Sequence, residues 1–207
     1  YEAYGESPEL VAELGAALVR GLQGVPGERP FLGSDKIIAT AKHFIGDGGT
    51  RAGKDQGETV ATEAEMRDVH ATGYYSALDA GVQTIMASFS SWGGRKMHGH
   101  QAFLTDLLKT HWGFDGVVVG DWNGHGQIVG TSPTDCPDAL MAGLDMYMAP
   151  ESWKGLHVSL LRHLESGRIS VERLDDAVRR ILRLKFRAGL CSQPMPSERP
   201  HSAKTGV

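Results

Sequence analysis

The sequence predicts an α/β fold built on a parallel sheet, and three observations support this prediction. Apolar strand-like segments alternate with helical segments in four successive units, the order expected of parallel strands joined by helical crossovers. No GxGxxG follows the first strand and no Walker A sequence occurs, so nucleotide-binding folds lose their usual support. Polar side chains instead collect just after the strands, which is typical of the active-site edge of a (β/α)8 barrel. We therefore expect a partial (β/α)8 barrel of about four units with two closing helices.

A first helix with well-marked boundaries precedes the strands. Ser7 is a suitable N-cap, Pro8 takes the first helical position, and Glu9 favours the positive end of the helix dipole. Gly24 provides the stop signal. Leucines recur along one face of this helix at Leu10, Leu14, Leu18 and Leu22.

Four strands are predicted after this helix, at residues 36–44, 82–89, 116–121 and 143–149. The first is mostly apolar, which suits a strand covered on both faces, and the third is the clearest because of its valine run. A glycine-rich loop over residues 46–57 follows the first strand.

The remaining helices are predicted from caps and apolar periodicity. Thr62 and Glu65 form a capping-box pattern that begins a helix reaching Gly81. Further helices are expected at residues 102–112, 134–142, 152–167 and 171–189.

The last helix carries an apolar stripe, which predicts its buried face, and a row of arginines, which predicts a solvated face. The stripe consists of Leu174, Val178, Ile181 and Leu182. The arginines are Arg179, Arg180, Arg183 and Arg187. Core positions are also expected for Trp112, Trp153 and the segment Met146 to Met148.

Composition limits the domain organisation and the partners. Residues 1–190 suit one domain, and the proline-containing stretch 191–207 suits a linker or tail. Lys and Arg total 21 against 25 Asp and Glu, a balance that argues against a nucleic-acid-binding surface. No apolar run approaches the roughly 18 residues needed to span a bilayer. Whether Cys136 and Cys191 pair stays open, because two cysteines do not define a disulfide framework.

Candidate catalytic and binding residues lie at the predicted strand ends. A carboxylate after a strand and beside an aromatic ring, as in Asp121 and Trp122, suits glycoside chemistry, although such an Asp equally often caps the next turn. Lys42 and His43 supply hydrogen-bond donors for sugar hydroxyls. A paired lysine and a core histidine, or a Schiff-base lysine, are the alternatives for these two residues.

Several histidines raise the question of a metal site. His98 and His100 are two residues apart, and His111 and His125 lie elsewhere in the sequence. No cysteine pair and no HExxH sequence accompanies them, so surface or loop histidines are the preferred interpretation. We therefore expect neither a metal nor another cofactor.

Taken in order, several segments resemble glycoside hydrolase family 3, the family of β-glucosidases and exo-β-glucanases. They are residues 1–8 (YEAYGESP), 42–50 (KHFIGDGGT), 86–92 (MASFSSW), 96–98 (KMH), 113–122 (GFDGVVVGDW) and 180–186 (RILRLKF). The resemblance implies that the chain is the C-terminal half of the N-terminal barrel domain. It also implies hydrolysis of terminal non-reducing β-D-glucosyl residues from β-glucosides or β-glucans with retention of configuration.

The resemblance assigns roles to individual residues. Asp121 would be the nucleophile, and the sugar-binding residues would be Lys42, His43, Trp122, Met86 and Phe89. The glucanase and glucosidase branch fits best, because the N-acetylglucosaminidase branch usually places an Asp-His dyad where residues 45–66 here contain no histidine. Many relatives have tyrosine where Phe89 stands, so the ring would be kept and the hydroxyl lost, which would alter the tuning of the nucleophile without abolishing it.

The resemblance also implies partners that lie beyond this sequence. The parent chain would supply the first half of the barrel and a C-terminal α/β domain that carries the general acid/base. Because polymer-degrading relatives are usually exported, the resemblance implies a periplasmic or secreted parent enzyme, while the sequence itself leaves the location open. We expect the 207 residues alone to be poorly stable and inactive. A barrel aldolase or lyase using Lys42, and a sugar-binding fragment without turnover, are the alternative functions.

Overall fold

The computed structural model of the chain describes residues 3–192, 194–195 and 198. Most of the tail predicted over residues 191–207 lies outside these residues, so its linker role stays a prediction. The α-helices of the described part are α1 (Pro8–Gln23), α2 (Glu63–Glu65), α3 (Thr72–Asp79), α4 (Pro137–Ala142), α5 (Trp153–Glu165) and α6 (Val171–Arg187). Its strands are β1 (Thr40–Phe44), β2 (Thr84–Ala87), β3 (Ser91–Trp92), β4 (Arg95–Lys96) and β5 (Val117–Val119).

Two of the predicted helices contain π-helical turns, at Met66–His70 and Ala102–His111. The first follows α2, whose capping box is present, since Thr62 accepts from the Glu65 N–H and Glu65 accepts from the Thr62 N–H. Short 3-10 turns lie at Asp47–Gly49, Arg51–Gly53, Met97–Gly99 and Gly124–Gln127.

The central sheet is parallel, with the order β1-β2-β5. The first three predicted strands are therefore present, each shorter than predicted. The prediction of a fourth strand at residues 143–149 is wrong in extent, because only Met146 forms a parallel bridge, to Val119. The Asp145 N–H also donates to the Val118 carbonyl of β5, whereas the start of the segment is used elsewhere, since Gly143 caps α4 and the Leu144 N–H donates to the Ala139 carbonyl.

Helix α1 forms as predicted, with Ser7 accepting from the Leu10 N–H and Gly24 ending the helix at φ 86°. Its buried face carries Gln23, whose side chain bonds to Gly81 and Ala39 and so joins the helix to the amino ends of β1 and β2. Of the four predicted leucines, Leu22 packs against the core, and Leu10, Leu14 and Leu18 are exposed.

The prediction of a solvated arginine face on α6 holds in part, because Arg179, Arg183 and Arg187 are exposed while Arg180 is half-buried. Arg180 donates to the carbonyls of Phe114 and Gly116 at 2.7 and 3.0 Å, and Arg187 pairs with Asp115 at 2.6 Å. These groups precede β5, where backbone carbonyls lack strand partners and a guanidinium satisfies them. Only part of the predicted stripe is shielded, because Leu174 and Ile181 are half-buried while Val178 and Leu182 are exposed.

The main core lies between the sheet and the helices that cover it. Its largest fully buried side chains include Phe44, Ile45, Ile85, Leu104 and Leu108. Trp112 packs edge-on against Phe44, as expected of a core residue. Trp153 and Met146 are exposed, so the core prediction is wrong for these two residues.

The expectation of surface or loop histidines holds only in part. His98, His100 and His125 lie in a loop or in short 3-10 turns, but all three are buried. Among the described residues, no group of three or more His, Cys, Asp or Glu side chains could hold a metal ion. Cys136 is buried and Cys191 exposed, and both are free thiols. No helix in the described ranges is long and apolar enough to cross a membrane.

Candidate active site

A cleft of about 820 Å³ opens at the carboxyl ends of β1 and β5. Parallel strands bring their carboxyl ends to one edge, so loops distant in sequence meet there. Four residues predicted from sequence line this cleft: Lys42, His43, Phe89 and Asp121. It is also lined by residues of the glycine-rich loop and by two helical side chains, namely Asp47, Lys54, Asp55, Gln56, His70 and Tyr74.

Lys42 and His43 both line the cleft although they are adjacent on β1. Side chains of a regular strand alternate between the two faces. Here the pairing of β1 with β2 is irregular between Ala41 and Phe44, where the register shifts. The irregular strand end therefore presents two consecutive cationic or hydrogen-bonding side chains to one cavity. The Lys42–His43 peptide bond is cis, as is the Phe44–Ile45 bond.

Asp121 follows β5 and uses its two carboxylate oxygens differently. Oδ1 accepts the Trp122 N–H at 2.7 Å, which is the turn-capping role that the sequence left open. Oδ2 lies 3.5 Å from His43 Nε2, at the cleft. Asn123, at φ 55°, then turns the chain so that the Gly124 N–H donates to the Asp121 carbonyl. Capping by one oxygen therefore fixes the direction of the other.

His43 lies between two carboxylates. Its Nδ1 donates to Asp47 Oδ2 at 2.9 Å, while its Nε2 faces Asp121. The hydrogen bond that His43 donates to Asp47 raises the pKa of His43, against the opposing effect of burial and with a smaller contribution from Asp121. The imidazole is therefore held in its charged form over a wider pH range than a free histidine, with an Nε2–H available toward Asp121.

Sequence reasoning missed Asp47 and the two serines that support it. Ser88 Oγ donates to Asp47 Oδ1, and Ser88 Oγ in turn accepts the Ser90 N–H at 2.8 Å. Ser90 Oγ donates to the Ile45 carbonyl at 3.2 Å, and both serines are buried. The loop after β2 thus holds the loop after β1. One signal for this cluster was present in the sequence. An acidic side chain follows the first predicted strand and hydroxyl side chains follow the second, and the carboxyl ends of parallel strands meet.

Gly46 permits the loop that carries Asp47. It adopts φ 95°, and a Cβ there would lie 2.9 Å from Thr59 Cγ2. Thr59 Oγ1 also donates to the Gly46 carbonyl at 2.9 Å. A side chain at this position would be strained and would displace Thr59, so glycine is needed for the loop to reach His43.

Two residues assigned to sugar binding lie differently. Trp122 is 55% exposed and does not line the cleft in the described part of the chain, although it adjoins Asp121. Met86 is half-buried within β2, paired in register with Val119 of β5. Phe89 lines the cleft, and its ring lies 5.8 Å from that of the buried His98.

Comparison with known proteins finds a matching family and several relatives. The sequence model of the glycosyl hydrolase family 3 N-terminal domain matches residues 1–184 of this chain. A lysosomal beta glucosidase of Dictyostelium discoideum is 34% identical over 207 aligned residues, which cover 95% of this chain and 25% of that protein. A beta-xylosidase of Formosa agariphila is 32% identical over 91% of this chain and 27% of its own length.

A solved structure shows the same fold. The crystal structure of an exo-1,3/1,4-beta-glucanase from a Pseudoalteromonas species superposes with a TM-score of 0.95 at 44% identity, covering 100% of this chain and 26% of that one. The predicted fold class, part of a (β/α)8 barrel, is confirmed. The chain spans about a quarter of the length of these proteins.

Proposed function

Because this chain belongs to glycosyl hydrolase family 3, we propose that it is the nucleophile-bearing part of a longer retaining glycosidase. The longer protein is called the parent enzyme below. It would release terminal non-reducing β-D-glucosyl residues from β-glucosides or β-glucans. The observation that carries the proposal is the Asp121 carboxylate, anchored through Oδ1 and with Oδ2 next to His43 in a cleft at the strand ends.

The chemistry follows a double displacement. In the first step Asp121 Oδ2 forms a bond to the anomeric carbon while the glycosidic bond breaks, and the leaving oxygen takes a proton from a general acid. In the second step a water oxygen attacks the same carbon, the bond to Asp121 breaks, and the general base takes the water proton. We place that acid/base outside this chain, in the parent enzyme.

Lys42 and His43 would hold the sugar in this scheme. Both line the cleft beside Asp121, and together they offer donors to several hydroxyl groups. Hydrogen bonds from donors that are fixed in place before the reaction become stronger as the sugar distorts toward the transition state. Such bonds raise kcat, and not only the affinity for the substrate in its ground state. The His43 Nε2 also faces Asp121 Oδ2 at 3.5 Å, so it lies beside the oxygen that would attack.

The remaining parts of the parent enzyme would complete the site. Exposed apolar residues on α1 and α6, such as Leu14 and Leu182, suit contacts with the other barrel elements. The β1 edge of the sheet and the single bridge at Met146 leave room for further strands. The 207 residues alone would therefore be poorly stable and without turnover.

Substrate preference separates the relatives, because a β-xyloside lacks the hydroxymethyl group of a β-glucoside. We expect the parent enzyme to hydrolyse an aryl β-glucoside faster than the matching β-xyloside and to release β-glucose first in an NMR time course.

Asp121→Asn should lower kcat at least about 10³-fold while glucose binding stays measurable by calorimetry. Glucose binding by a wild-type parent enzyme that hydrolyses neither glycoside would instead indicate a sugar-binding protein.

A further inference from the structure

His98 lies directly beneath the loop that carries Asp121. It is fully buried, and its Nε2 accepts the Asp121 backbone N–H at 2.9 Å. An N–H always donates, so Nε2 is the unprotonated nitrogen and the imidazole carries its proton on Nδ1. The backbone of the proposed nucleophile thus depends on a neutral histidine from a different loop.

The contact occurs where the sheet no longer holds the chain. Gly120 makes a regular sheet-like bond, in which its N–H donates to the Met146 carbonyl at 2.8 Å. Two residues later the Trp122 N–H is satisfied by Asp121 itself. Between them, the Asp121 N–H has His98 as its acceptor. His98 therefore holds the backbone of Asp121 at the point where β5 gives way to the loop, and Asp121 is the residue whose side-chain direction the proposed reaction depends on.

The chain around Asp121 is shaped to fit the imidazole. A Cβ at Gly124 would lie 2.4 Å from His98 Cε1, and a Cβ at Gly120 would lie 3.4 Å from His98 Cδ2. The Phe89 ring packs on the same imidazole. The loop thus wraps around the ring, which leaves His98 little freedom to turn Nε2 away from Asp121.

We propose that His98 is a positioning residue for the nucleophile, and that its acceptor nitrogen holds the Asp121 backbone so that Oδ2 faces His43 and the substrate. This inference rests on the proposed function, since it gives Asp121 the role of nucleophile. It adds a requirement that the family assignment does not contain, namely a buried neutral imidazole behind the reacting carboxylate.

The electrostatic surroundings keep His98 neutral. Burial lowers its pKa to about 4, and His125 and Lys96 act in the same direction. The Ser88 backbone and the Asp47 carboxylate act in the opposite direction, each more weakly than burial and His125. An imidazolium has no lone pair to accept the Asp121 N–H, so protonation of His98 at low pH would remove the contact.

Two substitutions in the parent enzyme test the inference, with turnover of an aryl β-glucoside as the assay. His98→Leu removes the acceptor and should lower kcat on the order of 10²-fold with little change in KM, because Lys42 and His43 still bind the sugar. His98→Gln places an amide oxygen near the position of Nε2 and should recover kcat to within about ten-fold of the wild type. Its rate should also fall less steeply with decreasing pH, because one titrating group has been removed.

His100→Leu is the matched control, since His100 is also buried in the same segment but contacts Trp92 and Phe103 instead. It should leave kcat and the acid side of the pH profile near those of the wild type. Equal kcat values for His98→Leu and the wild type would overturn the inference. If His98→Leu does not fold, a His98→Gln profile as steep as that of the wild type would do the same. Failure of the proposed function is distinct, because the wild-type parent enzyme would then lack glycosidase activity.

Discussion

Replacing Asp47 with asparagine removes the negative charge that faces His43 Nδ1 at 2.9 Å and keeps the size of the side chain. Hydrogen bonds to charged groups contribute about 1.5–3 kcal/mol. The His43 side chain is 20% exposed and that of Asp47 43% exposed, so solvent screening places this contribution near the lower end. If this hydrogen bond stabilises the transition state by about 1.5 kcal/mol, its loss in Asp47→Asn corresponds to a roughly ten-fold lower kcat/KM.

The pH dependence of the same variant has a defined direction. In the wild type the Asp47 hydrogen bond raises the pKa of His43 above 6.5, so activity that needs the imidazolium is lost only as the pH rises through that raised pKa. The Asp47→Asn substitution lowers the pKa of His43. The alkaline loss of activity should therefore begin at a lower pH than in the wild type.

The assay is kcat/KM of the parent enzyme for an aryl β-glucoside, measured from about pH 5 to pH 9. Asp135→Asn is the matched control, because Asp135 pairs with His163 Nε2 at 2.7 Å on another surface. It should leave the profile unchanged. An alkaline limb of Asp47→Asn that coincides with that of the wild type would refute the role given to Asp47.

Two further predictions concern stability, measured by urea denaturation of the parent enzyme. Arg180→Ala should lower the free energy of unfolding by about 2 kcal/mol, because it leaves two backbone carbonyls without their donor. Arg179→Ala, which breaks only an exposed ion pair with Asp175, should change it by less than about 0.5 kcal/mol. Asp145→Ala should cost about 3–5 kcal/mol, because Lys109 and Arg173 lose the buried carboxylate that they share. Equal effects of the two arginine variants, or a neutral Asp145→Ala, would contradict these assignments.

Features set by local chemistry could be predicted from the sequence. Ser7 and Thr62 cap helices as expected, because side-chain capping needs only neighbours within one turn. The apolar runs that form β1, β2 and β5 are also recognisable, because each run consists of a few consecutive residues. The strand ends then indicated where Lys42 and Asp121 would meet, since parallel strands share one carboxyl edge.

Features set by long-range contacts could not be predicted. Helical periodicity showed that the arginines of α6 lie on one side of the helix but not that Arg180, Arg183 and Arg187 among them meet residues 114–116 before β5. The apolar residues of the same helix are exposed because nothing in the described part of the chain covers them. The roles of Asp47 and His98 were missed because their partners, His43 and Asp121, lie on other loops or at an irregular strand end.

The central claim is that Asp121 forms a covalent bond to the sugar. A 2-deoxy-2-fluoro-β-glucoside with an activated leaving group slows the second displacement and allows the glycosyl-enzyme to accumulate. We expect one fluoroglucosyl adduct on the parent enzyme by intact mass, located by peptide mapping on Asp121 and absent from Asp121→Asn. An adduct on another residue, or none in an enzyme that hydrolyses aryl β-glucosides, would contradict the account.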